Sequence, residues 1–169
     1  MSIRIIDVDP QGDLALSLLR EAAIDVRPLY STGDPTATAM PTNLPLRSRE
    51  VYIVATLDDV PAACGALREL TDSTGEICRM YVHRDYRRRR LGWTVLRHLV
   101  AEARRLGYRR VRLETGNMQT SAMMLYESFG LRRIPPFGAY ANDPTSVCYE
   151  LELEASEHSA GEFPGSAAG

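Results

Sequence analysis

Four consecutive arginines, Arg87 to Arg90, run into Leu91-Gly92-Trp93 and then into apolar residues at helical spacing. Such a junction carries its own chemistry. The amides of a helix's first turn lack intrahelical partners, and the helix dipole adds about half a positive charge at that end. A loop wrapped around it is a ready anion site. Flanking arginines add charge-assisted hydrogen bonds suited to phosphate. Residues 87–92 therefore read as a candidate phosphate or pyrophosphate cradle. The run is not a P-loop, because the Gly-Lys-Ser/Thr ending is missing, and it is not a dinucleotide fingerprint, because GxGxxG is missing. On composition alone the competing reading is a solvated, arginine-rich loop.

The bulk composition narrows the choice. The chain has 169 residues, 44% hydrophobic and 25% charged, with a net charge of −2. That suits one domain with one sizeable core. A general polyanion binder is usually basic overall. Aromatic stacking platforms are also scarce around the run, so no nucleic-acid partner is expected. Every basic residue is arginine. Cys64, Cys78 and Cys148 are far apart and odd in number, with no CxxC spacing, which argues against a disulfide framework and a zinc site. Free thiols in a reducing cytoplasm are expected, and no metal. The N-terminus does not read as a signal peptide. No run approaches the roughly 20 apolar residues of a membrane helix, so no membrane partner is expected.

The elements that must position the cradle follow from periodicity. Ile3 to Val8 reads as a strand, and residues 12–24 as a helix with Leu14, Leu18 and Ala22 on one face. Residues 29–48 are rich in Pro, Thr and Gly and read as a long loop. Residues 51–57, 61–70 and 76–82 are three strands with short connections, hence an antiparallel meander. Leu91, Val95, Leu96, Leu99, Val100, Ala103 and Leu106 mark a helix stopped by Gly107. A strand follows, with Val111, Leu113 and Thr115 on one face. Strand, helix, strand implies a parallel, right-handed crossover. Residues 120–129 form a short helix opened by Thr120 or Ser121, and residues 131–137 and 146–153 read as final strands. One domain is expected over 1–153, with a disordered tail at 154–169.

The stretch from Glu76 to Phe137 resembles the GNAT superfamily of acetyl-CoA-dependent N-acetyltransferases, in particular bacterial members of the small-molecule type. The family's pyrophosphate signature, Arg/Gln-x-x-Gly-x-Gly/Ala, falls on Arg87, Arg88, Arg89, Arg90, Leu91 and Gly92. A second marker appears as Asn117, Ala122, Leu125-Tyr126-Glu127 and Phe129-Gly130-Leu131. The resemblance implies an α/β (α+β) fold. Its mixed central sheet has six to seven strands, with an antiparallel N-terminal meander and a splayed parallel pair, flanked by about four helices. One departure matters. Arg90 stands where the family has glycine. It is tolerable at a helical φ with its side chain turned away, but strained if the position needs φ > 0.

Roles carried over by position are as follows. The backbone amides of Arg89, Arg90, Leu91, Gly92 and Trp93 hold the pyrophosphate of acetyl-CoA, and Arg87 and Arg88 add side-chain contacts. Tyr81 and Val82 pair by backbone with the pantetheine arm. Asn117 either contacts that arm or is a turn residue. Tyr126 protonates the departing thiolate, and a phenol is a reasonable acid for that task. Glu76 is the candidate general base, since a carboxylate in a closed cleft is raised towards neutrality. Glu69 and Glu114 are alternatives. His83 beside the cradle reads as solvated.

The implied activity is transfer of acetyl from acetyl-CoA to a small-molecule amine in a ternary complex, in a cytoplasmic enzyme that is a possible homodimer. The alternatives are protein acetylation and acetyl-CoA binding without turnover. Residues 29–48 and 135–144 would wall the acceptor pocket, with Arg47, Arg49 and Tyr140 facing the substrate.

Overall fold

The computed structural model describes residues 1–30 and 41–154. Its elements are β1 (Ile3–Asp7), α1 (Asp13–Tyr30), β2 (Val51–Leu57), β3 (Val60–Glu69), β4 (Thr74–Val82), α2 (Leu91–Arg105), β5 (Arg110–Gly116), α3 (Thr120–Phe129), β6 (Arg132–Ile134) and β7 (Ser146–Glu152). Single 3₁₀ turns lie at Arg84–Tyr86 and Gly138–Tyr140. The seven strands make one sheet in the order β1-β2-β3-β4-β5-β7-β6. Every neighbouring pair is antiparallel except β4 and β5, which are parallel and joined through α2. This is the expected mixed architecture. Three α-helices lie among the described residues, against about four expected.

Alternation along β2 and β3 divides the core between the two faces of the sheet. Ile53, Ala55, Ala63 and Leu67 pack with Val95, Leu96, Leu99 and Val100 of α2. Tyr52, Val54, Cys64 and Ala66 pack with Ala15 and Leu18 of α1. The buried face of α1 is rotated from the expected one: Ala15, Leu18 and Leu19 are buried, whereas Leu14 is exposed. The helix also runs on to Tyr30, through residues expected to be loop. Residues 31–40 of that expected loop, and 155–169 of the expected tail, lie outside the described residues. The strand expected at 131–137 shrinks to three residues, because Pro135 and Pro136 cannot donate to a ladder. The residue before α3 is Gln119, with no side-chain cap, not Thr120 or Ser121. All three cysteines are free thiols.

Two irregularities shape the centre of the sheet. Pairing of β4 with β5 runs from Thr74–Arg110 to Ile77–Leu113 and stops there. Beyond that rung β5 continues along β7 to Gly116, while β4 continues along β3 to Val82. The two strands therefore diverge. The second irregularity is a bulge: Cys64 opposes Tyr81 and Ala66 opposes Cys78, so Arg79 and Met80 share the space opposite Gly65.

The edge of the core near Glu69 is tied by one carboxylate. Glu50 accepts from the amides of Arg47 and Glu69 (both 2.9 Å) and from the guanidiniums of Arg68 (3.0 Å) and Arg47 (3.1 Å). Burial alone would raise its pKa, but these donors together hold it at about 2. A depressed carboxyl stabilises the fold above its unfolded value and loses that contribution as pH falls through the folded one. Acid titration should therefore remove stability on the order of 3 kcal/mol between the model-peptide range and about pH 2. Chemical denaturation across that window should show a steep slope in the wild type and a shallower one in Glu50→Gln.

Candidate active site

The divergence of β4 and β5 opens a cavity of about 330 Å³. Leu19, Ala22 and Val26 line it from α1, and Gln119, Ala122 and Tyr126 from the α3 side. These helices belong to the two opposite faces of the sheet, so the opening passes through it. Its strand walls are Ile77 to Tyr81 on β4 and Glu114-Thr115 on β5, the peptide stretches that leave the parallel ladder.

Tyr126 is 4% exposed and lines this cavity. Its hydroxyl makes no hydrogen bond among the described residues. Burial first, then the negative charge of Glu114, pushes the phenol well above its ordinary value, so it stays protonated at neutral pH. Glu114 also lines the cavity and accepts from Ser146 Oγ at 2.6 Å. Glu76 does not line it. It sits before the last parallel rung, where Tyr140 Oη donates to its Oε2 at 2.8 Å. Burial raises the Glu76 carboxyl, the Tyr140 bond lowers it, and the charge of Glu114 raises it again, for a net upward shift. The structure thus brings Glu76, Glu114 and Tyr126 into one electrostatic group and puts Glu114 nearest the space. Glu69 is elsewhere, paired with Arg49 at 2.8 Å.

Tyr140 reaches the site through Glu76. Arg47 and Arg49 do not: Arg47 is bound to Glu50, and Arg49 to Glu69 and against the Tyr108 ring. Cys64 and Cys78 line the cavity, but burial pushes both thiols up to about 12, which leaves them protonated and poorly nucleophilic.

The arginine loop stands at the end of β4. Arg90 is the residue before α2 and has φ 61, ψ 22, the left-handed region. The position occupied by glycine in the resembled motif therefore does need φ > 0. Arg88 has φ 64 as well. The Arg90 guanidinium lies 5.8 Å from the Trp93 ring, which itself packs on Phe129. Gly92 packs closely: a Cβ there would come within 3.1 Å of Leu125 Cδ2. Arg87 is turned away from the helix mouth, donating to Asp25 Oδ2 (3.0 Å) and to the carbonyl of Val82 (3.2 Å). Arg89 contacts Met1, while Arg88 has no side-chain partner among the described residues. Asn117 is exposed in the bend after β5, where its amide donates to Thr145 O at 2.8 Å, and it does not line the cavity. His83 is more enclosed than a solvated loop histidine. Its side chain is 17% exposed, and Nδ1 accepts from the Asp85 amide.

Sequence reasoning missed Asp25. Its carboxylate accepts from Tyr81 Oη (2.7 Å), Arg84 (3.1 Å) and Arg87 (3.0 Å), tying α1 to the end of β4 and the arginine loop. Nothing local flags an acid in an amphipathic helix whose partners lie about sixty residues on. Arg79 was also missed, although a lone charge inside "EICRMYV" is a signal for a bulge.

Among the described residues no group of three His, Cys, Asp or Glu side chains could hold a metal, and no helix is long and apolar enough to cross a membrane. A family model described as the acetyltransferase (GNAT) family matches residues 18–131. The chain is 44% identical over 97 residues to the uncharacterized N-acetyltransferase YsnE of Bacillus subtilis, covering 56% of this chain and 64% of that protein. It is 34% identical over 103 residues to the IAA acetyltransferase of Azospirillum brasilense, covering 60% and 67%. The chain thus spans about two thirds of these relatives' length. The solved PaiA N-acetyltransferase of Thermoplasma acidophilum, in complex with coenzyme A, superposes with a TM-score of 0.68 at 16% identity over 90% of this chain and all of that one.

A left-handed arginine costs about 1–2 kcal/mol of backbone strain that glycine escapes, partly offset by glycine's freer unfolded chain. Arg90→Gly should therefore leave thermal stability unchanged or slightly raised, whereas Arg90→Val should lower it by more than about 1 kcal/mol in denaturant titration.

Proposed function

The chain belongs to the acetyltransferase (GNAT) family, and from that premise we propose that it transfers acetyl from acetyl-CoA to a primary amine of a small molecule, with both substrates bound at once. The observation that carries the reading is Tyr126 lining an opening through the sheet with a hydroxyl that makes no hydrogen bond among the described residues, on a helix against which the first turn of α2 packs through Gly92 and Trp93.

The residues present fit such a donor. The first-turn amides of α2, at Leu91, Gly92 and Trp93, have no intrahelical carbonyl to bond. Together with Arg89, Arg90 and the side chain of Arg88, which has no partner among the described residues, they would hold a diphosphate. Arg87 adds its charge, although in this structure its guanidinium is committed to Asp25. The diverged edge of β4 at Tyr81 and Val82 leaves peptide groups for the amides of the carrier's arm. Asn117, in the bend beyond β5, serves that arm from the outside. When bound, acetyl-CoA supplies an acyl group activated as a thioester.

The chain's own residues then manage protons. An ammonium must lose one before it can attack. Glu114 meets the amine, and Glu76 behind it shares the proton. Tyr126 delivers a proton from Oη to the sulfur as it departs.

Two variants test these roles. Tyr126→Phe should lower turnover about a hundredfold, measured by thiol release, while calorimetric titration with coenzyme A stays as in the wild type. Equal turnover would remove Tyr126 as the acid. The raised Glu76 carboxyl must be deprotonated to act as a base, so activity should climb with pH through its pKa. Glu76→Gln should flatten that limb, and an unaltered profile would assign the base to Glu114 alone.

A further inference from the structure

The cavity lining carries two charged side chains among the described residues, Glu114 and Arg79. They come from different strands. Glu114 follows Leu113, and Arg79 follows Ile77 by two, so both lie just past the last rung of the parallel pair. One anion and one cation thus face the same opening from its two walls.

Arg79 is held there by an unusual backbone. It occupies the bulge opposite Gly65 with φ 58, a left-handed conformation that costs a non-glycine residue about 1–2 kcal/mol. A bulge re-aims a side chain, and such strain concentrates where a ligand is clamped. The guanidinium is also pre-positioned. Its Nε donates to Asn43 Oδ1 at 2.8 Å. Asn43 is 3% exposed and is itself fixed by donation to Pro10 O at 2.8 Å. Nη2 makes only a long contact of 3.5 Å with Thr42 O. Nη1 makes no hydrogen bond among the described residues, and no carboxylate pairs with Arg79. Arg84 and Arg87, a few residues on, are both neutralised by acids of α1. Arg79 is therefore a braced cation with an open fork, the geometry that grips a carboxylate through two parallel bonds.

The rest of the lining is consistent with a small bipolar ligand. Leu19, Ala22 and Val26 give an apolar wall on the α1 side. Tyr52, 1% exposed, adds its ring to the lining.

We propose that the acceptor is an amine that also bears a carboxylate, an amino-acid-like compound with an apolar side chain, and that Arg79 selects it by binding that carboxylate while Glu114 receives the ammonium. The assignment rests on the acetyltransferase reading above, which it narrows to an acceptor class.

The test uses L-methionine, L-leucine and L-phenylalanine, each against its own carboxamide. Calorimetric titration of the coenzyme A-saturated protein should show at least one acid binding about tenfold tighter than its amide. In Arg79→Gln the gap should shrink to about twofold, and Arg79→Lys should keep part of it, as a point charge without the fork. Using the change in the acid-to-amide ratio cancels the different basicity of the two amines, and melting curves of both variants control for folding. Equal binding of acid and amide, no binding of either, or a gap that survives in Arg79→Gln would each overturn the proposal. Thiol release separates this from the broader reading. Acid-selective binding with no thiol release from any amine overturns acetyl transfer and keeps the ligand class. Turnover of simple amines with no preference for the acid overturns the ligand class alone.

Discussion

The site exists because two parallel strands stop bonding. β4 and β5 share four rungs, Thr74–Arg110 to Ile77–Leu113, and then separate, each retained by an antiparallel neighbour on its other side. That outer pairing lets the gap exist at modest cost, since each strand keeps its bonds on one edge. The inner edges are left with unsatisfied peptide groups, which demand water or a ligand. The gap places Glu114 and Arg79 on its rims and Tyr126 over one mouth, while Glu76 stands in the closed parallel ladder beside it.

A second constraint fixes the approach to the gap. The arginine loop leaves β4 at Val82 and enters α2 through a left-handed residue. Its charge does not all face one way. Arg84 and Arg87 are drawn to Glu21 and Asp25 of α1, and Arg90 lies over Trp93. Four arginines in a row thus divide their labour: Arg87 staples the loop to α1, Arg89 contacts Met1, Arg90 lies over the Trp93 ring, and Arg88 stays without a side-chain partner among the described residues. The formal charge of a run therefore overstates the cation available to an anion.

Much of this was legible in the chain. β-Branched alternation marked β2 to the residue, and the apolar period of α2 gave both its start and its buried face, because local periodicity suffices for such elements. Tyr126, singled out only by the family resemblance, does line the cavity, whereas Asn117 stands outside it in the bend after β5. What failed to show was long-range. Asp25 reaches residues 81–87 only after α1 has folded across the sheet. Glu76 could be singled out, but not its burial under Tyr140, 64 residues away. The left-handed φ of Arg90 was the open question of the motif, and no property of arginine could answer it; the turn into α2 imposes it. Arg47 and Arg49 looked like substrate contacts because they flank a loop, yet both serve the Glu50–Glu69 corner.

The short parallel seam also divides the molecule. On one side lie β1 to β4, an antiparallel block closed over by α1; on the other lie β5 to β7. Four rungs, the packing of α2 across both blocks and a few bonds such as Tyr140 Oη to Glu76 and the Arg109 amide to Ser73 O hold these halves in register. The chain is in effect two small sheets welded along a partial joint. α2 packs on β2, β3 and β4 of one half and on β5 of the other, so its buried face, Leu96 and Leu99 included, bridges the two sides of the slot. Repacking that helix would alter the slot's dimensions without touching a single residue that faces it.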